Sequence, residues 1–425
     1  MKILVVGGGG REHAIIKKLS ESPRVKKLYA APGNGGISQL AELVPVKATD
    51  LDGLVKAARE LAVDLVFVAP DDPLNMGLVD RLNAEGIRAF GPTAAAARLE
   101  GSKVFSKGLM KKYGIPTAAY RTFDNPADTL KYIKEQNTYP AVVKADGLAL
   151  GKGTIIAEDY AAAEAAVKSI MEDRIFGESG ARVVVEEFLT GPEVTILAFA
   201  DGRTISTMVS SRDHKRVYDG DRGPNTGGMG AFAPSPNYTP EIAERCMKEI
   251  FIPTVEAMAA ENATFKGVIY FQLMLTPNGP KVIEYNARFG DPEAQVVLPM
   301  LKTDLVDIID AVIDGRLAEI DIEWRSGAAA CVVAASGGYP MNYEKGFPIS
   351  GLESVDSPDM YVYHAGTKLE NGVYKTSGGR VLCVTAVADT LDAAVDRAYE
   401  GIAKIHFEGM HYRRDIGRPT PPKAD

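Results

Sequence analysis

Lys144 closes an apolar run, 141–143, and opens the stretch Ala145-Asp146-Gly147-Leu148-Ala149-Leu150-Gly151-Lys152-Gly153. A buried ammonium without a partner is costly, so this lysine demands an anion. An internal carboxylate would satisfy it, as would a ligand phosphate. The glycines with Lys152 favour a triphosphate beneath a glycine-rich flap over 147–153. The flap is not a Walker A loop, because three residues rather than four separate Gly147 from Gly151-Lys152, and Gly153 follows where Ser or Thr is required. Further on, strand alternation over 281–288 puts Glu284, Asn286 and Arg288 on one face, with Ile283 and Tyr285 opposite. A carboxylate and an amide oxygen two residues apart are hard ligands suited to Mg²⁺ beside phosphates.

Two loops add to this. Arg212-Asp213-His214-Lys215-Arg216 precedes a glycine-dense loop running from Asp219 to Gly230, which combines both charge signs with close backbone approach. At the start of the chain, Gly7-Gly8-Gly9-Gly10-Arg11-Glu12-His13 joins an apolar strand to a helical pattern, a turn suited to phosphate. The dinucleotide fingerprint fails there, since Glu12 or His13 stands at its third glycine and Ala31-Pro32-Gly33-Asn34 supplies no acid for a ribose. A structural turn and a phosphate site both remain open for this loop. Arg11 favours an anionic substrate.

The elements that must hold these groups follow from periodicity. Apolar runs at 3–6, 28–30, 65–69 and 87–90 alternate with helical patterns at 12–19, 52–61 and 74–84. That predicts a parallel sheet with helices on its faces, an N-terminal α/β domain over 1–101. A helix from 102 stops at Gly114, before Pro116. Strands at 141–145, 154–157, 182–186 and 194–200, with a helix near 161–171, indicate a small α+β lobe of about 117–191 within a core of 102–324. A long helix at 241–260 precedes a hairpin, 267–276 and 281–286, about Pro277-Asn278-Gly279. Strands at 328–335, 361–364 and 380–388, a hairpin over Asn371-Gly372 and a helix near 391–405 form a C-terminal α+β domain over 325–425.

Composition excludes several classes. Apolar residues make up 46% and charged residues 24%, ordinary globular values that rule out disorder. A net charge of -8 argues against nucleic-acid or anionic-membrane partners. Cys246, Cys331 and Cys383 are too scattered for a metal cluster and fit a reducing, cytoplasmic setting. No apolar run reaches the ~18 residues that span a bilayer.

Together these segments resemble the ATP-grasp ligases, and more narrowly the phosphoribosylamine–glycine ligase family. The matching stretches are GGGGREHA at 7–14, GPTAAAARLEGSKVFSK at 91–107, VVKADGLALGKG at 142–153 and VVVEEFLTGPEVT at 183–195. They continue with DHKRVYDGDRGPNTGGMGAFAP at 213–234, KVIEYNARFGDPEAQ at 281–295, HAGT at 364–367, SGGRVL at 377–382 and YRRDIGRP at 412–419. The resemblance implies a Rossmann-like N-terminal domain, a two-lobed ATP-grasp core and a small C-terminal α+β domain. The implied reaction uses ATP and Mg²⁺ (or Mn²⁺) to join glycine to 5-phosphoribosylamine through glycyl phosphate, as a step of purine biosynthesis, without a protein nucleophile. Lys103 and Lys144 would meet the ATP phosphates with Gly151, Lys152 and Gly153 folding over them. Glu186, Glu187, Phe188 and Leu189 would frame the adenine, and Glu193 the ribose. Glu284 and Asn286 would bind the metal. Asp213 would meet the glycine ammonium, while Lys215, Arg288, Asn225, Thr226, Gly227, Gly228 and Met229 would hold carboxylate and phosphoryl groups. Gly9, Gly10, Arg11 and Glu12, with Gly33 and Asn34, would receive the ribosylamine. A cytoplasmic monomer is expected.

Three departures from the family pattern stand out: Ala69-Pro70-Asp71-Asp72-Pro73-Leu74, Arg212, and Gln272, which stands where the family commonly has glycine and other ATP-grasp enzymes a metal-binding glutamate. If Gln272 lies beside Glu284 it is either a weak metal ligand or a partner in a hydrogen bond across the hairpin. Two rival readings are another ATP-grasp carboxylate–amine ligase and a non-catalytic nucleotide-binding regulator.

Overall fold

The computed structural model describes residues 1–149, 153–355 and 357–418. Apolar strands Lys2–Gly7, Lys27–Pro32, Leu65–Val68 and Ala89–Phe90 lie parallel, with a short strand Glu42–Leu43 at one edge. Lys2–Gly7 is central, and the apolar side chains on both its faces are fully buried, as a sheet covered on two sides requires. The helical pattern at 74–84 is two helices, Asp71–Asn75 and Leu78–Ala84, because Gly77 sits at φ +84° between them. A helix that periodicity did not reveal, Ala94–Gly101, is capped by Thr93, and Ser102 caps the next, Lys103–Tyr113. That helix ends at Gly114 in the left-handed region, as the sequence predicts.

The small lobe is an antiparallel sheet ordered Tyr120–Phe123, Val183–Glu187, Ala141–Ala145, Thr154–Ala157, covered by helices Pro126–Gln136 and Tyr160–Val167. The large lobe carries Ile205–Thr207, Glu193–Asp201, Lys266–Thr276 and Gly279–Asn286 in that spatial order. The long helix beneath it is continuous but widens into a π turn over Met247–Phe251, where Pro253 removes a backbone donor from the following turn. The hairpin departs from strict alternation. Leu273 pairs with Val282 and Gln272 with Glu284, leaving Ile283 as a bulge. Val282 and Tyr285 therefore both enter the core, rather than Ile283 and Tyr285 sharing a face.

The C-terminal sheet is ordered Arg212–Asp213, Gly230–Ala233, Ala328–Ala335, Arg380–Ala388, Met360–His364, with helix Leu391–Ile402 packed on it. Its first two strands come from the middle of the chain. The glycine-dense loop between them is thus anchored at both ends in the C-terminal sheet. Among the described residues, no helix is long and apolar enough to cross a membrane.

Candidate active site

Helix Lys103–Tyr113 presents Lys103 and Lys107 one turn apart on one face. Strand Ala141–Ala145 brings Lys144 against them, and its neighbour Val183–Glu187 brings Glu186, paired with Val142. One oxygen of Glu186, Oε2, lies 3.1 Å from Lys144 Nζ and 3.0 Å from Lys107 Nζ. Lys144 also donates to the carbonyl of the bulge residue Ile283 at 3.1 Å. The sequence demanded an anion for Lys144, and Glu186 is that anion. Burial lowers Lys107 to about 8 despite Glu186, and burial likewise lowers Lys103, which donates to Gly147 O at 3.0 Å. The other oxygen of Glu186 is buried with no hydrogen-bond partner among the described residues. Glu187, by contrast, accepts from Ala119 N–H (2.9 Å) and Lys281 (2.7 Å), while Phe188 is 40% exposed just past the strand's end. Gly151 and Lys152 lie outside the described residues.

Across the cleft, Glu284 faces Lys215 Nζ at 3.9 Å. Burial alone would raise its pKa, but Lys215, Lys144, Lys103 and Arg288 together hold it below the usual carboxylate range, so it is ionised at neutral pH. Asn286 shares its face, and its Oδ1 accepts from Arg288 at 3.2 Å. Arg288 is anchored by Glu100 at 2.7 Å, whose second oxygen accepts from Ala287 N–H at 2.8 Å. Burial, against the pull of Arg288, pushes Glu100 up to about 7. Asp71, from the departing 69–74 segment, is close enough to act on both Glu100 and Arg288. Burial, opposed by Lys215, raises Asp213 to about 7 as well, with the Glu293 and Glu193 carboxylates adding to the shift. Gln272 lies between Lys215 and Glu193 and hydrogen-bonds both.

The 213–230 loop is braced internally. Thr226 donates from both N–H and Oγ1 to Lys215 O at 2.8 Å, and Gly228 N–H donates to Thr226 Oγ1 at 2.9 Å. Asn225 pairs with Arg216 in a short ladder, and Met229 is buried against Val217 and Ala335, which leaves its backbone rather than its side chain for ligands. From the C-terminal domain, Tyr339 OH accepts from Gly227 N–H at 3.1 Å and Arg380 donates to Gly227 O at 3.0 Å. Fully buried Arg413 reaches Asp221 at 2.8 Å and Arg216 O at 3.0 Å.

Glu12 reaches back to the start of its own helix, where its Oε2 accepts from Gly9 N–H at 2.6 Å. Arg11 donates to Glu12 at 2.6 Å and to Phe289 O at 3.2 Å, so the first loop touches the segment that follows Arg288. A Cβ on Gly8 would sit 2.4 Å from Gly33 O, and Gly33 itself stands at φ +71°, so each turn needs its glycine. Asn34 is fully occupied: it donates to Gly8 O (2.9 Å) and His364 O (2.8 Å) and accepts from Gly36 and Ile37 N–H. Asp291 joins the loops, lying 3.2 Å from Arg380 and 3.5 Å from Arg11 N–H, and accepting from Gln295 at 2.7 Å.

Sequence reasoning gathered the lysines and Glu284 but missed Lys107, which shares Glu186 with Lys144, Glu100, which anchors Arg288, and the Asp291–Arg380 pair that links the first loop to Gly227. Lys107 was detectable as the residue one helical turn after Lys103, and Glu100 as an acid within the alanine-rich 94–101 stretch. Nothing local marked Arg380 as a partner of residues more than 150 positions earlier.

Two antiparallel lobes facing each other across lysines and an ionised carboxylate, preceded by a parallel α/β domain, define an ATP-grasp enzyme. Three family models cover nearly the whole chain: the phosphoribosylglycinamide synthetase N domain at 1–100, its ATP-grasp (A) domain at 101–294 and its C domain at 329–419. The chain is 49% identical over 416 residues to phosphoribosylamine–glycine ligase of Caldanaerobacter subterraneus, covering 98% of this chain and 99% of that one. It is likewise 49% identical to the Clostridium acetobutylicum enzyme of the same name, over 98% and 100% of the two chains. The crystal structure of the Thermotoga maritima phosphoribosylamine–glycine ligase superposes with a TM-score of 0.86 at 33% identity, over 98% and 100% of the chains. A biotin carboxylase domain from Hydrogenobacter thermophilus shares the fold at 16% identity, with a TM-score of 0.75. The chain belongs to the phosphoribosylamine–glycine ligase family, ATP-dependent ligases of purine biosynthesis.

Proposed function

We propose that this chain joins glycine to 5-phosphoribosylamine with ATP, through glycyl phosphate, in the cleft between Lys144 and Glu284. A glycine carboxylate oxygen attacks the γ-phosphorus and ADP departs. The ribosylamine nitrogen then attacks the glycyl carbonyl carbon, phosphate departs, and the nitrogen loses a proton. Such transfers need positioning and charge neutralisation rather than a protein nucleophile. One observation carries the reading: Lys103, Lys144, Lys215 and Arg288 all act on the ionised Glu284, which sets cations suited to phosphate oxygens beside a carboxylate suited to a divalent cation.

Lys103 and Lys144 hold the phosphates, and Lys152 with Gly151 and Gly153 close over them. Residues 186–189 frame the adenine, and Glu193 accepts from the ribose. Asp213 faces the glycine ammonium, while Lys215, Arg288 and the 225–229 loop meet its carboxylate and the phosphoryl group. Gly9–Glu12, beside Phe289 and Asp291, receive the ribosylamine, with Gly33 and Asn34 bracing that loop. The residues fit a divalent cation: Glu284 makes only a 3.9 Å ion pair, and both it and Asn286 offer hard oxygens. Bound there, Mg²⁺ or Mn²⁺ supplies charge neutralisation of the phosphates. The three cysteines are buried and free, which suits the cytoplasm.

Phosphate release from ATP, measured with glycine or ribosylamine omitted in turn, tests the reading. Full turnover should require both. An unchanged rate without glycine would overturn it.

A further inference from the structure

Gln272 occupies the middle of strand Lys266–Thr276, paired directly with Thr195 on one side and Glu284 on the other. It is 2% exposed, yet both ends of its amide are engaged. Its Oε1 accepts from Lys215 Nζ at 2.5 Å and its Nε2 donates to Glu193 Oε2 at 2.7 Å. These partners fix the amide's orientation. A flipped side chain would set donor against ammonium and oxygen against carboxylate. Lys215 Nζ, meanwhile, is 3.9 Å from Glu284 Oε1. The ammonium is thus in hydrogen-bond contact with a neutral amide and out of contact with a neighbouring carboxylate. An amide whose N–H groups are drawn to a carboxylate carries a more negative oxygen, which accounts for that preference.

We propose that Gln272 is a positioning residue: bridging Glu193 and Lys215, its amide holds the lysine off Glu284 and leaves that carboxylate free for the nucleotide's divalent cation. The inference rests on the reading of Glu284 as a cation ligand. Without the bridge, Lys215 has only carboxylates to settle on, and Glu284 is within reach. A lysine in full contact there would compete with the cation for the same oxygens. Gln272 itself is not a ligand in this arrangement, since its carbonyl oxygen is in contact with the Lys215 ammonium, which repels a second cation from the same atom.

The test is Mn²⁺ binding followed by electron paramagnetic resonance, with a non-hydrolysable ATP analogue present. Gln272→Met keeps the length of the side chain and removes both hydrogen bonds. It should weaken Mn²⁺ binding about tenfold, the order expected for losing a hydrogen bond to a charged group. In a Lys215→Met background the same substitution should have no effect, because no ammonium remains to compete. Unchanged Mn²⁺ affinity in the single variant, or the same loss with and without Lys215, would overturn the inference. Glu284→Gln separates the two layers. If it leaves Mn²⁺ binding intact, the cation reading of Glu284 fails. If it abolishes binding while Gln272→Met does not, only the role of Gln272 fails. Gln272→Ser, too short to reach Lys215, replaces the Met variant if that one does not fold.

Discussion

Replacing Glu186 by Gln keeps the shape of the phosphate side of the cleft and removes the one carboxylate shared by two buried lysines. Glu186 Oε2 is 3.0 Å from Lys107 and 3.1 Å from Lys144. Lys107 binds its proton more weakly folded than unfolded, at about 8 rather than 10.5, because of burial. A lysine lowered in this way supports the fold fully above its unfolded value. That support is lost as pH falls to the folded value, and then stays constant. In the wild type the loss is therefore complete by about pH 8. Without the carboxylate the folded value drops further, and the variant continues to lose stability below pH 8. Each pH unit is about 1.4 kcal/mol. The gap between variant and wild type from Lys107 should thus grow from near zero at pH 8 towards an upper limit of roughly 2.7 kcal/mol at pH 6. Breaking a buried pair costs about 3–5 kcal/mol in other proteins, so a gap of this size is reasonable. Urea unfolding at pH 6, 7 and 8 reads the trend directly. A non-hydrolysable ATP analogue should narrow the gap at each pH, since its phosphates replace the missing anion. A gap that is flat with pH, or widens towards high pH, would refute the reasoning.

Glu284→Gln should lower kcat by at least about a hundredfold, near 3 kcal/mol of transition-state stabilisation, with little change in thermal stability; near-normal turnover at saturating Mg²⁺ would remove it from the site. Glu100, raised from 4.5 to about 7 by burial, favours the fold below pH 4.5, and this contribution is lost as pH rises to 7, at about 1.4 kcal/mol per unit. Glu100→Gln should abolish that part of the slope between pH 5 and 7 in equilibrium unfolding, and an unaltered slope would show that Glu100 is not the titrating group. Gly8→Ala, whose Cβ would meet Gly33 O at 2.4 Å, should cost roughly 1–3 kcal/mol of stability and raise KM for the ribosylamine more than KM for ATP, readable from paired saturation curves.

Much of the architecture was legible because it is written locally. Gly114 stops its helix, Asn371-Gly372 turns its hairpin, and the strands Ala141–Ala145 and Ala328–Ala335 stand where the apolar runs put them. What escaped the sequence depends on distant partners. Arg212–Asp213 and Gly230–Ala233 join a sheet whose other strands lie beyond residue 327, and neither segment is long enough to announce a pairing. The bulge at Ile283 is set by the register of two strands, so alternation alone put Ile283 on the wrong face. The functional lysines were visible as charges in apolar or glycine-rich surroundings. The anchors were not, because Glu186 gathers Lys107 and Lys144, Glu100 holds Arg288, and Asp291 ties Arg11 to Arg380 only once the lobes and the C-terminal domain close round them.

Glycine labelled with ¹⁸O in both carboxylate oxygens gives the most direct test of glycyl phosphate at this site. After turnover with ATP and 5-phosphoribosylamine, the released phosphate is analysed by mass spectrometry. Attack of the carboxylate on the γ-phosphorus followed by displacement at carbon predicts one ¹⁸O transferred to each phosphate, with the other retained in the amide. Phosphate free of label, formed at the same rate as the amide, would contradict it.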